Sequence, residues 1–583
     1  MSEIILIPHP QKMVKQEGTL AFLGASFATD DGRILEYLRD VPEGNTLIRF
    51  SNDNRLHPEG YTLDINEKEI VICYGTLEGA FRAVSTLKQL MALAENGNMP
   101  CVSIEDYPAI GRRGYLLDLS RGKIPKLAVL KKFADILSAL KYNEWHLYLN
   151  RFGFQFKNFE RYWKDANALS AEEIRELDAY CQDRFIKLVP NLNSFGHMEA
   201  FTEKEEYRHL AISDQKGNPS HTLNPLLDES LTLVDSVFDG FFDHFTSDVV
   251  HIGMDETFFV GMNETKEACE TYGVGRVYTD FLNKVLDLVD KKYHKRPMFW
   301  ADIVFKHPEE LKNIPDYSVV MDWGYESEYN YEGHCALLEK MGLKYYVCPG
   351  TSMWGSFTGR SNNAAFNMLS AAVSARDHHA EGFLLTEWGD GGYPQFYSTA
   401  YFPIVFGGAV AWNPGKNIAY DRAKLIGCCE KYLDKNIYQI TGDVSLADIV
   451  YRLGNYYLME NELLDNMTYC YYYLFSPKLI TQADVAAFRR VITYMNAALD
   501  ELKDVQGGSE HIRFIEANAK MVILLCRMFV GDRVEETEIT EAKEQFVSLW
   551  NLENKPYILG KDIFTQRLDK LYNYYQDEIV KNQ

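Results

Sequence analysis

The run VVHIGMDETFFVG, Val249–Gly261, carries two adjacent carboxylates, Asp255 and Glu256, at the end of an apolar, valine-led stretch. Valine and isoleucine favour a strand, and a short apolar run bounded by a turn signal reads as a buried one. Side chains alternate along a strand, so His251 and Asp255 share a face while Glu256 points elsewhere. A metal site built on these three residues is therefore not expected, and no further His or Cys stands at a ligand spacing. By itself the pair is equally well a solvated strand end or a catalytic device, and its neighbours decide between them.

Working outward, the same kind of run recurs across residues 108–415 as GYLLDLS, WHLYLN, KLVPNLN, DVVHIGM, PMFWADI, YSVVMDWG, KYYVCPG and GFLLTEWG. Helix-length stretches such as IPKLAVLKKFADILSALK and YTDFLNKVLDLVDKKYH lie between most of them. Strands alternating with helices over this length predict a parallel (β/α)8 TIM barrel, and no G-x-G-x-x-G follows any strand to favour an open doubly wound sheet. Before it, residues 1–107 carry short β-like runs (NTLIRFS, KEIVICYG) and a helical pattern over TLEGAFRAVSTLKQLMAL, which predict a small α/β domain. After it, residues 416–583 read as helices, among them ADIVYRLGNYYLMENELL, AAFRRVITYMNAALDELK and EANAKMVILLCRMFV, and predict an α-helical C-terminal domain. YFPIVFGGAVAW, Tyr401–Trp412, is too short to span a bilayer and fits a buried strand or the start of a helix.

Composition narrows the function classes. The 583 residues carry a net charge of −23, which speaks against neutralising the phosphates of a nucleic acid. The N-terminal MSEIILIPHPQKMVKQ has no basic segment followed by a long apolar one, so no signal peptide and no membrane association are expected. The ten cysteines are scattered without a C-x-x-C pair, as in a reduced cytoplasmic protein. No cofactor is expected.

If the barrel is correct, catalytic groups belong at the C-terminal ends of its strands. Arg113 begins strand one, His146 lies in strand two, and Asn193 and His197 follow strand three. Asp255 and Glu256 end strand four, and Trp300 and Asp302 end strand five. Trp323 and Tyr325 follow strand six, Trp354 lies beyond strand seven, and Glu387, Trp388 and Asp390 end strand eight. Four of the eight tryptophans thus gather at strand ends or just after them. One tryptophan is most simply core filling, but four beside several acids suit the C–H faces and hydroxyls of a sugar. A lone strand histidine such as His146 is more often a hydrogen-bonded core residue than a catalyst.

At this point the residues resemble a family. H-I-G-M-D-E, His251–Glu256, resembles the signature H/N-x-G-x-D-E of family 20 glycoside hydrolases, the β-N-acetylhexosaminidases. RRGYLLDLSRGKIP is similar to that family's R-G-x-x-L-D-x-S-R. FGHMEAF is similar to its P-G-H segment, and W-G-D at Trp388–Asp390 to its W-x-E. GTLEGAFRAVSTLKQLM is similar to the end of the small domain that precedes the family's barrel. The likeness covers about residues 55–412 in order and is greatest to the bacterial cytoplasmic branch, which acts on terminal GlcNAc and GalNAc.

The resemblance implies an exo-acting, retaining enzyme in which the substrate's own 2-acetamido group attacks the anomeric carbon and forms an oxazolinium. Glu256 would be the acid and base, and Asp255 would orient the acetamido N–H. Arg113 matches the arginine that binds the 3- and 4-hydroxyls, and Asp390 stands where an acid binds the 4- and 6-hydroxyls. Trp300, Trp323, Trp354 and Trp388 would wall the sugar. Tyr325, or failing it Tyr393, would donate to the acetamide oxygen. His197 would tune the acid, with His146 as support. The family's T-D-D-Q-G-W is replaced here by Y-L-N-R-F-G-F, Tyr148–Phe154, so the aspartate that usually partners that histidine is missing and Asn150 or Arg151 stands nearby. A retaining β-glycosidase with Asp302 or Asp390 as nucleophile and a non-catalytic sugar-binding barrel are the alternatives. The expected partner is a small glycan, and the helical tail could pack on the barrel, complete the pocket rim or make a homodimer contact.

Overall fold

The computed structural model describes residues 4–29, 31–94, 96–164, 166–415, 422–557 and 563–580. The N-terminal region forms a six-stranded sheet of β1 (Lys12–Ala21), β2 (Ala25–Ala28), β3 (Thr46–Asn52), β4 (Tyr61–Ile65), β5 (Glu69–Tyr74) and β6 (Asn98–Asp106), in the order β1-β6-β4-β5-β3-β2. The helix Leu77–Ala92 covers it, burying Ala80, Ala83, Val84, Leu87 and Leu90 at the i, i+3, i+4, i+7 spacing of an amphipathic helix. This layer has a hydrophobic core of its own, with Ile48, Leu63, Ile70 and Ile72 fully buried under that helix.

The barrel follows. Its strands are β7 (Arg112–Asp118), β8 (Glu144–Tyr148), β9 (Lys187–Asn191), then, past a small hairpin of β10 (Ala211–Ser213) and β11 (Pro219–Leu223), β12 (Val249–His251), β13 (Arg296–Trp300), β14 (Val319–Trp323), β15 (Tyr345–Cys348) and β16 (Gly382–Glu387). All eight barrel pairings are parallel, and β16 closes on β7 from Gly382 opposite Arg112 to Glu387 opposite Leu117. Alternate residues fill the interior, among them Leu116, Val189, Met298, Met321 and Leu384. The others pack outward under the ring of helices.

YFPIVFGGAVAW falls within the helix Tyr397–Trp412, in which every residue is buried. It is a helix rather than a strand because it is sandwiched between the barrel wall and the helices of the tail, with no open sheet edge to join.

From Arg422 the described chain is helical, and the boundary drawn at residue 415 borders residues that lie outside the description. ADIVYRLGNYYLMENELL is not one helix. The helix Leu446–Leu453 stops at Gly454, where a Cβ would stand 2.0 Å from the Ser361 hydroxyl of a barrel helix. The chain turns there and continues only as the 3-10 turn Tyr456–Met459. AAFRRVITYMNAALDELK lies in the helix Val485–Leu502, and EANAKMVILLCRMFV in Ser509–Phe529. The aromatic stretch NMTYCYYYLF docks on the barrel rim: Thr468 N–H donates to the Gly355 carbonyl, and the Tyr471 hydroxyl donates to the Asp390 carbonyl at 2.7 Å. Among the described residues no helix is long and apolar enough to cross a membrane. Among the described residues no cysteine stands in a disulfide.

Candidate active site

The two ends of β7 hold different machinery. Arg113 stands at its N-terminal end, about 16 Å of extended chain below Asp118. It is buried there. Its guanidinium donates to the carbonyls of Lys141 at 3.0 Å, Ile110 at 2.8 Å and Gly111 at 2.9 Å, and pairs with Glu59 of the N-terminal layer. The ring of Trp412 lies 4.9 Å from it. The structure therefore removes Arg113 from the sugar site: a parallel barrel puts the start of every strand at the closed base. Arg82 joins the same cluster, 3.2 Å from Glu59. Burial raises the Glu59 pKa, but Arg113 and Arg82 outweigh it and hold the carboxyl down at about 2.

The arginine at the mouth is Arg121, just past the other end of β7. It pairs with buried Asp118, lies 3.3 Å from Asp390, and covers the rings of Tyr148 at 5.4 Å and Trp388 at 5.5 Å. Asp118 fastens two strand ends together, accepting from Ser120 N–H at 2.8 Å and from Gly389 N–H at 2.8 Å. Asp390 is half-exposed at the rim.

Inside the mouth the aromatic residues form a cage. Trp323 stacks on Tyr325 at 5.2 Å, Tyr325 meets Trp354 edge-on at 4.9 Å, and Trp300 and Trp388 stand 5.9 Å apart. Tyr148 closes the wall edge-on to Trp388 at 5.2 Å. Gly350 permits the cage, because a Cβ there would stand 2.3 Å from the Trp354 ring. Trp388 Nε1 donates to the Tyr325 hydroxyl at 2.9 Å, which leaves that hydroxyl's own proton to donate elsewhere. Trp300 Nε1, Trp323 Nε1 and Asp255 Oδ1 are buried without a hydrogen bond from the described residues. A buried polar atom without a partner is costly, so the cage holds donors and a carboxylate acceptor available to a polar ligand.

Asp255 and Glu256 enter the mouth on a strained turn. Gly253, Met254 and Glu256 all have positive φ (72°, 80° and 53°). At Gly253 no side chain fits, since a Cβ would stand 1.9 Å from Asn193 Oδ1. Such backbone persists only where its surroundings enforce it. Here Asp302 Oδ2 accepts from the Glu256 N–H at 3.1 Å, and the Tyr278 hydroxyl donates to the Met254 carbonyl at 3.0 Å. Burial, with the charge of Asp255 second, pushes the Asp302 carboxyl up to about 7.

His197 links the pair. Its Nε2 lies 3.3 Å from Asp255 Oδ2 and 3.2 Å from Glu256 Oε2. Burial opposes its charge, but the two carboxylates outweigh burial and raise its pKa to about 10. The bond to His197 in turn holds Glu256 below the usual carboxylate range. His197 is itself clasped by its backbone, in the left-handed region at φ 53°. Its N–H donates to His221 Nδ1 at 3.1 Å, and Asn150 Nδ2 donates to its carbonyl at 2.9 Å.

Two further expected residues lie elsewhere. His146 is buried inside the barrel below the cage, 3.6 Å from Glu144 and with its ring 6.2 Å from that of His251. Tyr393 turns away from the cage at φ 54°, donates to Glu387 at 3.1 Å, and packs on the buried Lys123 ammonium. Burial is the larger effect on Glu387, raising it to about 7. Tyr325, in contrast, is part of the cage. Arg121 and Asp118 were visible within RGYLLDLSR, where only position along the strand separates them from Arg113. Tyr148, Asn150 and His221 carry no motif, and His221 arrives on the β10–β11 hairpin. Among the described residues no group of three or more His, Cys, Asp or Glu is arranged to hold a metal ion.

Comparison with known proteins agrees with the fold. The catalytic-domain model of glycosyl hydrolase family 20 matches residues 111–378, and that family's domain 2 matches residues 12–107, together well over half of the chain. A beta-hexosaminidase subunit alpha of Bos taurus is 24% identical over 308 residues, 49% of this chain and 57% of that protein. A beta-hexosaminidase of Porphyromonas gingivalis is 29% identical over 253 residues, 37% of this chain and 32% of that protein. The chain thus spans less than two thirds of the length of these relatives. Among solved structures, the chitobiase of Flavobacterium johnsoniae shares the fold with a TM-score of 0.59 at 18% identity, over 97% of this chain and 98% of that one. The exo beta-N-acetylglucosaminidase of Vibrio harveyi does so with a TM-score of 0.57 at 19% identity, over 73% and 77%. With its barrel, its preceding sheet layer and both family models matched, the chain belongs to glycosyl hydrolase family 20.

Proposed function

We propose that the protein is an exo-acting β-N-acetylhexosaminidase that removes terminal non-reducing β-GlcNAc or β-GalNAc by the substrate-assisted, retaining route. The observation that supports this best is the buried Asp255 Oδ1, without a partner among the described residues and close enough to the cage tyrosines Tyr148 and Tyr325 for its charge to act on them. It is an acceptor suited to the N–H of an acetamido group, while the free proton of the Tyr325 hydroxyl and the indole N–H groups suit its carbonyl. Held there, the acetamide oxygen attacks the anomeric carbon, and Asp255 stabilises the charge that develops on nitrogen. Arg121 and Asp390 bind hydroxyls at the rim, taking the part first given to Arg113.

Glu256 protonates the departing oxygen and later deprotonates the water that opens the oxazolinium. In the free protein His197, raised to about 10 by the two carboxylates against burial, carries a proton, and its Nε2 stands within hydrogen-bond reach of Glu256 Oε2. Charge developing on the leaving oxygen draws that proton through Glu256 to the substrate. Asp302 is engaged with the Glu256 backbone and Asp390 with Arg121, which argues against either as a nucleophile.

Glu256→Gln is expected to lower kcat/KM on an alkyl β-N-acetylglucosaminide about 10²–10⁴-fold. A loss below tenfold sinks the acid assignment. A thiazoline mimic of the intermediate should inhibit competitively and strongly, and trapping of a covalent glycosyl-enzyme would overturn the substrate-assisted route.

A further inference from the structure

Part of the cage rests on the helical tail. The rim loops that follow β14, β15 and β16 carry Tyr325, Trp354 and Asp390. Residues 464–471 of the tail reach all three loops, each within one residue of that side chain. The Asn466 N–H donates to Glu326 Oε1 at 2.7 Å, directly after Tyr325. The Thr468 N–H donates to the Gly355 carbonyl at 2.9 Å, directly after Trp354. The Tyr471 hydroxyl donates to the carbonyl of Asp390 itself at 2.7 Å.

Glu326 is the hub of the first contact. Arg360, buried at the head of the barrel helix Ser361–Asp377, donates to both of its oxygens at 2.8 Å. A bidentate arginine–carboxylate pair fixes direction as well as distance. From the same helix the Asn363 side chain donates to the Tyr325 carbonyl at 2.7 Å, so Tyr325 is held on its own backbone and through its neighbour. Two rim glycines admit the tail. Gly355 and Gly391 both take left-handed backbone (φ 61° and 72°). A Cβ on Gly355 would stand 2.3 Å from the Asn466 carbonyl oxygen, and one on Gly391 2.1 Å from the Tyr471 hydroxyl. Thr468 is fully buried, and its hydroxyl bonds that of Tyr456 at 2.8 Å, which ties the segment back into the tail.

Two groups orient the acetamide, and different parts of the molecule hold them. Asp255, which suits the N–H, is fixed by its own turn through Asp302 and Tyr278. Tyr325, which suits the carbonyl, is fixed by a loop that the tail grips. Attack on the anomeric carbon needs that carbonyl oxygen aligned, and a misplacement of about 1 Å costs on the order of a hundredfold in rate. We propose that residues 464–471, acting through Glu326 and Gly355, are a positioning element of the active site. They set the planes of Tyr325 and Trp354, and with them the approach of the acetamide oxygen. The inference rests on the substrate-assisted route proposed above.

The test uses the whole chain and three variants. Glu326→Ala removes the hub, and Gly355→Ala wedges a methyl group against the Asn466 carbonyl. Tyr494→Phe removes a hydrogen bond to the Arg452 carbonyl inside the tail and controls for tail stability. For each, kcat on 4-nitrophenyl β-GlcNAc is measured per folded molecule, with the folded fraction read by circular dichroism. The Ki values of GlcNAc and of the thiazoline mimic are measured alongside. Glu326→Ala and Gly355→Ala should each lower kcat about tenfold and raise the thiazoline Ki about tenfold, while the GlcNAc Ki moves less than about threefold. Tyr494→Phe should leave all three constants within about twofold, as a change confined to the tail's own packing. A role in stability alone would change the folded fraction and none of these constants. A kcat and a thiazoline Ki within about threefold of wild type in both rim variants overturn the positioning role, as does an equal loss in Tyr494→Phe. If the wild type cleaves no 4-nitrophenyl β-GlcNAc, the hydrolase reading falls and takes the positioning role with it.

Discussion

Arg113 and Arg121 lie eight residues apart on the same strand and loop, yet they serve opposite ends of the barrel. At the base, Arg113 is saturated: three carbonyls, a buried glutamate and an indole face leave it nothing to offer a ligand. At the mouth, Arg121 is held by Asp118 and lies beside a half-exposed Asp390, where Trp300 Nε1, Trp323 Nε1 and Asp255 Oδ1 have no hydrogen-bond partner among the described residues. At the base every guanidinium nitrogen of Arg113 has an acceptor, which ties the barrel to the N-terminal layer. The mouth leaves donors and acceptors unsatisfied, and that residual demand is what a substrate fills.

The contrast can be broken experimentally, beginning with the largest effect. Arg121→Met should lower kcat/KM on a β-N-acetylglucosaminide about a hundredfold, as expected from losing charge-assisted bonds to two hydroxyls. Arg113→Met should instead cost about 3–5 kcal/mol of unfolding free energy, because it leaves buried Glu59 with only the weaker of its two cationic partners, Arg82. Equilibrium denaturation beside steady-state kinetics on both variants checks this, and a matching pattern in the two would dissolve the distinction.

Acid sharpens the same comparison. The Glu59 pKa is held at about 2, below its ordinary 4.5, so its stabilising contribution is complete above 4.5 and is lost as the pH falls from 4.5 toward 2. Removing Arg113, the stronger of its two cationic partners, should move that loss to higher pH. Denaturation midpoints measured across this window report it.

At the mouth the sign reverses. His197 is raised to about 10, so it keeps its proton up to that range and loses it as the pH rises through it. His197→Asn should shift the alkaline limb of kcat/KM to lower pH.

The smallest effect belongs to the helical tail. Tyr471→Phe removes one hydrogen bond to the Asp390 carbonyl and should cost about 1 kcal/mol, with activity reduced no more than about fivefold.

The barrel was legible in the sequence because each of its strands is an apolar run bounded by polar or turn residues, from GYLLDLS to GFLLTEWG. Closure of β16 on β7 follows from that count. The carboxylate pair, Tyr325 and the cage tryptophans were legible because they sit at strand ends. Arg113 was misplaced for a simple reason: RGYLLDLSR offers two arginines, and sequence similarity does not say which end of the strand each occupies. Tyr393 was misplaced because its left-handed backbone turns it inward, which no residue pattern announces. The clasp on His197 was invisible, since His221 comes from a hairpin 24 residues further on and Asn150 acts on a backbone carbonyl. The long helix read across Gly454 failed because a contact with Ser361, far away in sequence, overrode a continuous apolar pattern.

The central claim is that the acetamido group of the substrate is a participant in the reaction, oriented by Asp255. Its most direct test is the hydrolysis of 4-nitrophenyl β-N-acetylglucosaminide, β-N-acetylgalactosaminide and β-glucoside by the wild-type protein under one set of conditions. Both acetamido sugars should be cleaved at least about a thousandfold faster in kcat/KM than the glucoside, the advantage of a nucleophile held in place. Comparable cleavage of all three would contradict the account.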